Sequence, residues 1–478
     1  MELLELSGVA LADLIRRGEV SSREAVTAHI AKIEAVNPTL NAVVADRFEA
    51  ALSEADQADA RRGEDVGPLH GVPCTIKECF ALTGMPNASG LVSRAGIRAP
   101  SDATAVARLR AAGAIPMGVT NTSELCMWME TSNRLYGRTN NPYDPRRIVG
   151  GSSGGEGAII GAGGSPLGIG SDVGGSIRMP AFFNGIFGHK PTGGLIPNTG
   201  QYPAIDTEQG SRYLTTGPLC RRAEDLMPLV RILAGPDGLD PGCFTMPLSD
   251  PAQVDFTGVR VLTVPDDGLL SICPELIAAQ AAAAAALEAR GARIEEIRFS
   301  RLRGATDIWS AMLGEASTVP FRTSLYRGQD RTRTALLRWA FGGGSYTLPA
   351  ILLAGLERVT DAFPARAERF IAEGHALRAE MTEALGIDGL MLYPSHPTPA
   401  PRHYVPLSRP ISWIYTAILN VMELPVTQVP LGLDGKGMPL GVQVVGAHGA
   451  DHRTIAAALA LEADLGGWVP PWQTKSSR

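Results

Sequence analysis

The 478-residue sequence contains only six cysteines, Cys74, Cys79, Cys126, Cys220, Cys243 and Cys273, with no CxxC pair and no metal-ligand spacing to a histidine. In a chain this long, that pattern excludes a small disulfide scaffold, gives no metal site, and reads as reduced intracellular thiols. No stretch approaches 18 uncharged apolar residues, so no membrane-spanning helix is expected. The start, Met1-Glu2-Leu3-Leu4-Glu5, lacks the basic and apolar regions of a signal peptide. A basic footprint is missing too. The 43 Lys and Arg against 49 Asp and Glu leave a net charge of −6, which argues against nucleic acid as a partner. Together these absences lead us to expect a cytoplasmic location.

What the chain does have is apolar residues and glycine. With 45 % hydrophobic and 19 % charged residues it can bury a large core. Its 54 glycines and 35 prolines exceed ordinary usage without reaching the level of low-complexity disorder, and no G-X-Y period runs through them. The first 65 residues read as helical, with Ser7 capping one helix and Ser21-Ser22-Arg23-Glu24 resembling a capping box before a second. Cys74-Thr75-Ile76 is a short apolar strand. Ser101-Asp102 is expected to cap a helix over 103–112, ahead of a strand over 115–119. The same alternation returns at 259–264, 274–290 and 292–297; strands over 424–431 and 440–445 suggest a hairpin, and Asp451 is expected to cap a last helix. Helix alternating with short apolar strand is the rhythm of an α/β fold.

The glycine excess is local. Residues 150–200 hold 17 of the 54 glycines, in strings that include Gly150-Gly151-Ser152-Ser153-Gly154-Gly155 and Val173-Gly174-Gly175-Ser176. Such loops can aim several backbone N–H groups at one anion. Neither GxxxxGK[ST] nor GxGxxG occurs here, which removes the usual phosphate and dinucleotide readings. Gly151–Gly155 does satisfy GxSxG, the nucleophile elbow of α/β-hydrolases, for which His396 or His403 would have to supply the histidine.

The stretch Gly150–Thr192 resembles the signature of the amidase signature family of serine hydrolases. The resemblance runs over nearly the whole chain, taking in Gly67–Lys77, Gly118-Val119-Thr120-Asn121, Leu424-Pro425-Val426-Thr427 and Gly441-Val442-Gln443. Within that family Glu124-Leu125-Cys126-Met127-Trp128, Pro180–Lys190 and Tyr393-Pro394-Ser395-His396-Pro397 are similar to fatty acid amide hydrolases, in particular the second vertebrate type. The resemblance implies a mixed central β-sheet flanked by helices, in one domain over 1–478 with a helical segment at 1–65 and the signature core at 150–192. It implies a triad of Lys77, Ser152 in a cis peptide after Gly151, and the nucleophile Ser176, with separations of 75 and 24 residues.

Amides are poor electrophiles, so their hydrolysis needs an activated nucleophile, an oxyanion hole and a proton for the leaving amine. The resemblance assigns the hole to the amides of Val173, Gly174, Gly175 and Ser176. It places Cys126, Met127, Trp128 and Ser153 toward the substrate, and Gly151, Asp172 and Arg178 in support of the loop; His189 reads as a structural histidine. It implies hydrolysis of a carboxylic amide, with an apolar or fatty acyl chain, through an acyl-enzyme and without cofactor or metal. Aryl or short-chain amides and esters, and the amidase subunit of a tRNA-dependent amidotransferase, remain open alternatives, as does a homodimer. The vertebrate enzymes carry a spanning segment ahead of the matched region, and none is expected here. The apolar stretch 340–356 reads equally as a peripheral membrane contact or a core helix.

Overall fold

The computed structural model describes residues 3–64, 66–329, 331–361 and 364–473. The early caps form where the sequence places them. Ser7 accepts from Ala10 N ahead of the Gly8–Arg17 helix, and Ser21 and Glu24 form a reciprocal capping box on Ser22–Leu40. Two later caps differ. Asp102 leaves the first amides of the Thr104–Ala111 helix uncapped, accepting instead from Thr83 and pairing with Arg110 in the last turn of that helix. Asp451 is the first residue of the Asp451–Leu465 helix, and its carboxylate reaches inward to Thr192 and His189. In both, a partner other than the helix's own first amides takes the carboxylate.

Eleven strands form one mixed sheet. In chain order they are β1 (Val43–Asp46), β2 (Pro73–Lys77), β3 (Ile115–Thr120), β4 (Leu167–Asp172), β5 (Phe187–Lys190), β6 (Thr215–Cys220), β7 (Arg260–Thr263), β8 (Arg293–Glu296), β9 (Leu390–Tyr393), β10 (Val426–Leu433) and β11 (Pro439–Gly446). Their spatial order is β1-β3-β2-β4-β6-β5-β10-β11-β9-β7-β8. The groups β3-β2-β4 and β9-β7-β8 are parallel, and antiparallel pairs join them through β6, β5, β10 and β11. The expected C-terminal hairpin is β10 with β11.

Both faces of the sheet are covered, as the two-residue period of a strand requires when helices pack on either side. Along β9, Leu390 and Leu392 join the core that contains Leu287 and Leu461, while Met391 and Tyr393 join the core of Ile308 and Ile418 on the other side. The stretch 340–356 is no core helix: in the Leu348–Asp361 helix Ile351 and Ala354 are buried and Leu352 and Leu356 are exposed.

The glycine-rich region is buried almost throughout. Every residue of the Gly154–Gly161 helix is inaccessible. Its glycines serve close approach: a Cβ on Gly155 would stand 2.7 Å from Asn121 O and 2.8 Å from Ala42 O, and one on Gly157 would meet Asn184 and Pro180. Substituting alanine at such a site forces backbone to move, at a cost of about 1–3 kcal/mol. Gly155→Ala is therefore expected to lower the thermal midpoint. Gly314→Ala, in a helix with open space around it, should leave the midpoint unchanged or raised. Equal midpoints for the two variants in a melting experiment would contradict this packing account.

Candidate active site

Strands β2 and β4 run parallel and adjacent, so their C-terminal ends lie at the same edge of the sheet, where open α/β sheets place ligands. Lys77 ends β2, and Ser171 and Asp172 end β4. Lys77 has no exposed surface, and its Nζ donates to Ser152 Oγ at 2.7 Å and Ser171 Oγ at 3.0 Å. Ser152 is equally buried, and the Gly151–Ser152 peptide is cis. Ser153 N–H donates to the Ser176 carbonyl at 3.1 Å, which draws the two glycine-serine strings together. Of the three triad candidates only Ser176 reaches the surface, at 8 %.

The loop from Asp172 to Arg178 is organised around one carboxylate. Asp172 accepts from the amides of Gly175 (2.6 Å) and Ile177 (3.1 Å), from Arg178 Nε and Nη2 (3.0 Å each), and from Asn420 Nδ2 (2.9 Å). Burial works to raise the Asp172 pKa, but the Arg178 charge and these hydrogen bonds outweigh it and hold the group well below the usual carboxylate range. Arg178 also donates to Gln443 Oε1 and Asn420 Oδ1, both at 2.7 Å. Gly175 has φ +107°, and a Cβ there would overlap the Thr416 side chain, so only glycine serves at that point.

This geometry refines the sequence-based assignments. Asp172 and Arg178 are a buried pair, as expected of loop support. The Gly175 N–H is committed to Asp172, so Val173, Gly174 and Ser176 remain as the amides to consider for an oxyanion. Cys126 and Met127 line a cavity of about 310 Å³ that also meets Ser171 and Val173. Trp128 and Ser153 are not in its wall. Trp128 packs with Met129, Phe182 and Phe183, and Ser153 is fully buried behind the loop. The GxSxG reading loses its histidine, because Glu130 and the Pro145 carbonyl take both ring nitrogens of His403, His396 bonds Thr398, and Ser153 Oγ donates to the Ser171 carbonyl. His189 bridges Thr427 and Asp451 inside the core, as a structural histidine does.

Several participants escaped the sequence reading. Trp309 lines the cavity and donates its Nε1–H to Val173 O at 2.9 Å, and Thr416 donates to Gly174 O at 2.9 Å. Both fix the loop from a helix far along the chain, which no local pattern reveals. The neighbouring Cys79 thiol, ahead of the Lys77 charge, outweighs the effect of burial and pulls the Cys126 thiol below its ordinary range. Among the described residues no group of three His, Cys, Asp or Glu side chains is placed to hold a metal ion.

The amidase family model matches residues 24–455. Fatty-acid amide hydrolase 2-A of Danio rerio is 47 % identical, over 99 % of this chain and 91 % of its own length. Fatty-acid amide hydrolase 2 of Homo sapiens is 45 % identical, over 98 % and 91 %. Among solved structures, 6-aminohexanoate cyclic dimer hydrolase complexed with substrate superposes with a TM-score of 0.82 at 28 % identity, covering 97 % of this chain and 98 % of that one. With its family model spanning most of the sequence and full-length relatives well above 30 % identity, this chain is a member of the amidase signature family.

Proposed function

We propose that this amide hydrolase cleaves carboxylic amides bearing an apolar acyl chain, with Ser176 as nucleophile, Ser152 as proton relay and Lys77 as base. The observation that carries the reading is the 2.7 Å Lys77–Ser152 hydrogen bond, sealed from water, next to Ser153, whose N–H holds the Ser176 carbonyl. A hydrogen bond between an amine and a hydroxyl can hold its proton on either atom, which is what a relay needs. As Ser176 Oγ bonds the substrate carbonyl carbon, its proton passes to Ser152, and the Ser152 proton passes to Lys77. The oxyanion is held by the amides of Val173, Gly174 and Ser176, each such donor being worth about 3–4 kcal/mol in known oxyanion holes. Collapse breaks the C–N bond and returns the proton to the leaving amine. Water then repeats the sequence on the acyl-enzyme.

The cavity supports an apolar acyl group over glutamine. Leu125, Met127, Val173, Trp309, Leu313 and Val319 contribute to its wall, and among the described residues no lysine or arginine lines it to receive an amino-acid carboxylate. Its acidic members are engaged: Asp206 accepts from Thr318, and Glu357 from the amides of Phe321 and Arg322. The relatives named fatty-acid amide hydrolase 2 support the same reading along their length. No described helix is long and apolar enough to cross a membrane. Exposed Val319, Leu337, Phe341, Leu352 and Leu356, two of them in the cavity wall, favour peripheral contact with a lipid surface beside the cavity mouth.

Ser176→Ala should lower amide turnover by at least about 10³-fold, as removal of a triad nucleophile does. Lys77→Ala should be similarly impaired at neutral pH and recover in part as pH rises, because hydroxide takes over from the missing base. Across a matched amide and ester series graded in acyl length, kcat/KM should rise with chain length; a preference for short aryl acyl groups would contradict the apolar-chain reading. Phosphatidylcholine vesicles should co-sediment the wild-type protein and release the Phe341→Glu/Leu352→Glu variant. Equal sedimentation of both would contradict the peripheral contact.

A further inference from the structure

Glu156 has no exposed surface, and the hydrolytic sequence above does not use it. It sits in the first turn of the Gly154–Gly161 helix, four residues past Ser152. Burial raises its pKa to about 8, against the lowering by its hydroxyl partners Thr120 and Thr75 and by the Lys77 charge. A buried carboxyl is costly unless its oxygens are satisfied, and here each takes one hydroxyl. Thr75 Oγ1 donates to Oε2 at 2.8 Å, and Thr120 Oγ1 donates to Oε1 at 2.8 Å.

Both partners are neighbours of the lysine. Thr75 precedes Lys77 by two residues on β2, so their side chains leave the same face. Thr120 is the residue paired directly with Lys77 on β3. On β4, the Thr75 partner is Gly168, where a Cβ would overlap Glu156 Oε2. The carboxyl therefore occupies a slot bounded by three strands, at the end of the sheet where Lys77 meets Ser152. Lys77 and Cys74, both on β2, are the titratable side chains that act on it or feel its charge.

We propose that Glu156 is a positioning residue for Lys77: by joining the Lys77 strand and its neighbour to the helix that follows Ser152, it fixes the amine within hydrogen-bond reach of the relay serine. The proposal rests on the reading of Lys77 as the base. Leucine at 156 fills the same space without accepting a hydrogen bond. Glutamine offers one acceptor and one donor to the two hydroxyls and restores the clamp without the charge.

The test is steady-state kinetics of the full chain on an apolar acyl amide, with thermal melts, for wild type, Glu156→Gln, Glu156→Leu and Lys77→Met. Misplacement of a catalytic group by a fraction of an ångström to an ångström costs up to about 10²-fold, so Glu156→Leu should lose at least about 10-fold in kcat with KM within about 2-fold. Glu156→Gln should stay within about 3-fold of wild-type kcat. Unchanged kcat in Glu156→Leu, or equal losses in the two variants, overturns the proposal. Should Glu156→Leu fail to fold, the Thr75→Val/Thr120→Val variant, which keeps the carboxyl and removes its partners, should show the same kcat loss, and unchanged kcat there overturns the proposal. Lys77→Met separates the two readings. If it is inactive while Glu156→Leu is fully active, only the positioning role falls; if it retains wild-type kcat, the lysine base falls and the positioning role with it.

Discussion

The loop that carries Ser176 takes its shape from a single buried carboxylate. Asp172 gathers two backbone amides from the loop, the Arg178 guanidinium and the Asn420 amide, and so decides where the chain between β4 and the Arg178–Phe183 helix can run. Removing one partner of a fully buried ion pair typically costs about 3–5 kcal/mol, because the other charge is stranded away from water. The pair is thus less a source of stability than a constraint. With Asp172 satisfied, the residues on either side of Ser176 are pinned in place; with it unsatisfied, the loop has no reason to keep this path.

Around that constraint the site divides by access to water. Lys77, Ser152 and Glu156 are fully enclosed, whereas Ser176 keeps a little accessible surface and Val173 lines the cavity. Glycine makes the enclosure possible, since at Gly155, Gly157 and Gly168 neighbouring segments approach more closely than any side chain would permit. The outer wall is built differently, from helices between residues 305 and 361 whose apolar residues are divided between cavity, core and solvent. A rigid, glycine-packed interior and a more open apolar wall suit fixed chemistry joined to adaptable acyl recognition.

The α/β alternation, the capping box at Ser21, the C-terminal hairpin and the compact glycine cluster were legible in the sequence, because each rests on residues close together in the chain. The placement of Lys77 beside Ser152 was accessible through family resemblance alone, since nothing local joins residues 75 apart. What escaped was set by distant partners. Asp102 and Asp451 carry the residue type of a helix cap, yet Asp102 is taken by Thr83 and Arg110, and Asp451 by His189 and Thr192 far along the chain. Trp128 stands next to cavity residues in sequence but turns into another core. Gly175 belongs to the loop expected to bind an oxyanion, and its amide is already used by Asp172. Trp309 and Thr416 reach the loop from helices more than a hundred residues downstream.

The central claim is that this enclosed relay activates one serine, Ser176, among several packed close together. The most direct measurement is peptide mapping by mass spectrometry after reaction with an alkyl fluorophosphonate at neutral pH. The account predicts a single phosphonyl adduct on Ser176 that forms far more slowly in Lys77→Ala. An adduct on Ser152, Ser153 or any serine outside this loop, or labelling of Ser176 at the same rate without Lys77, would contradict it.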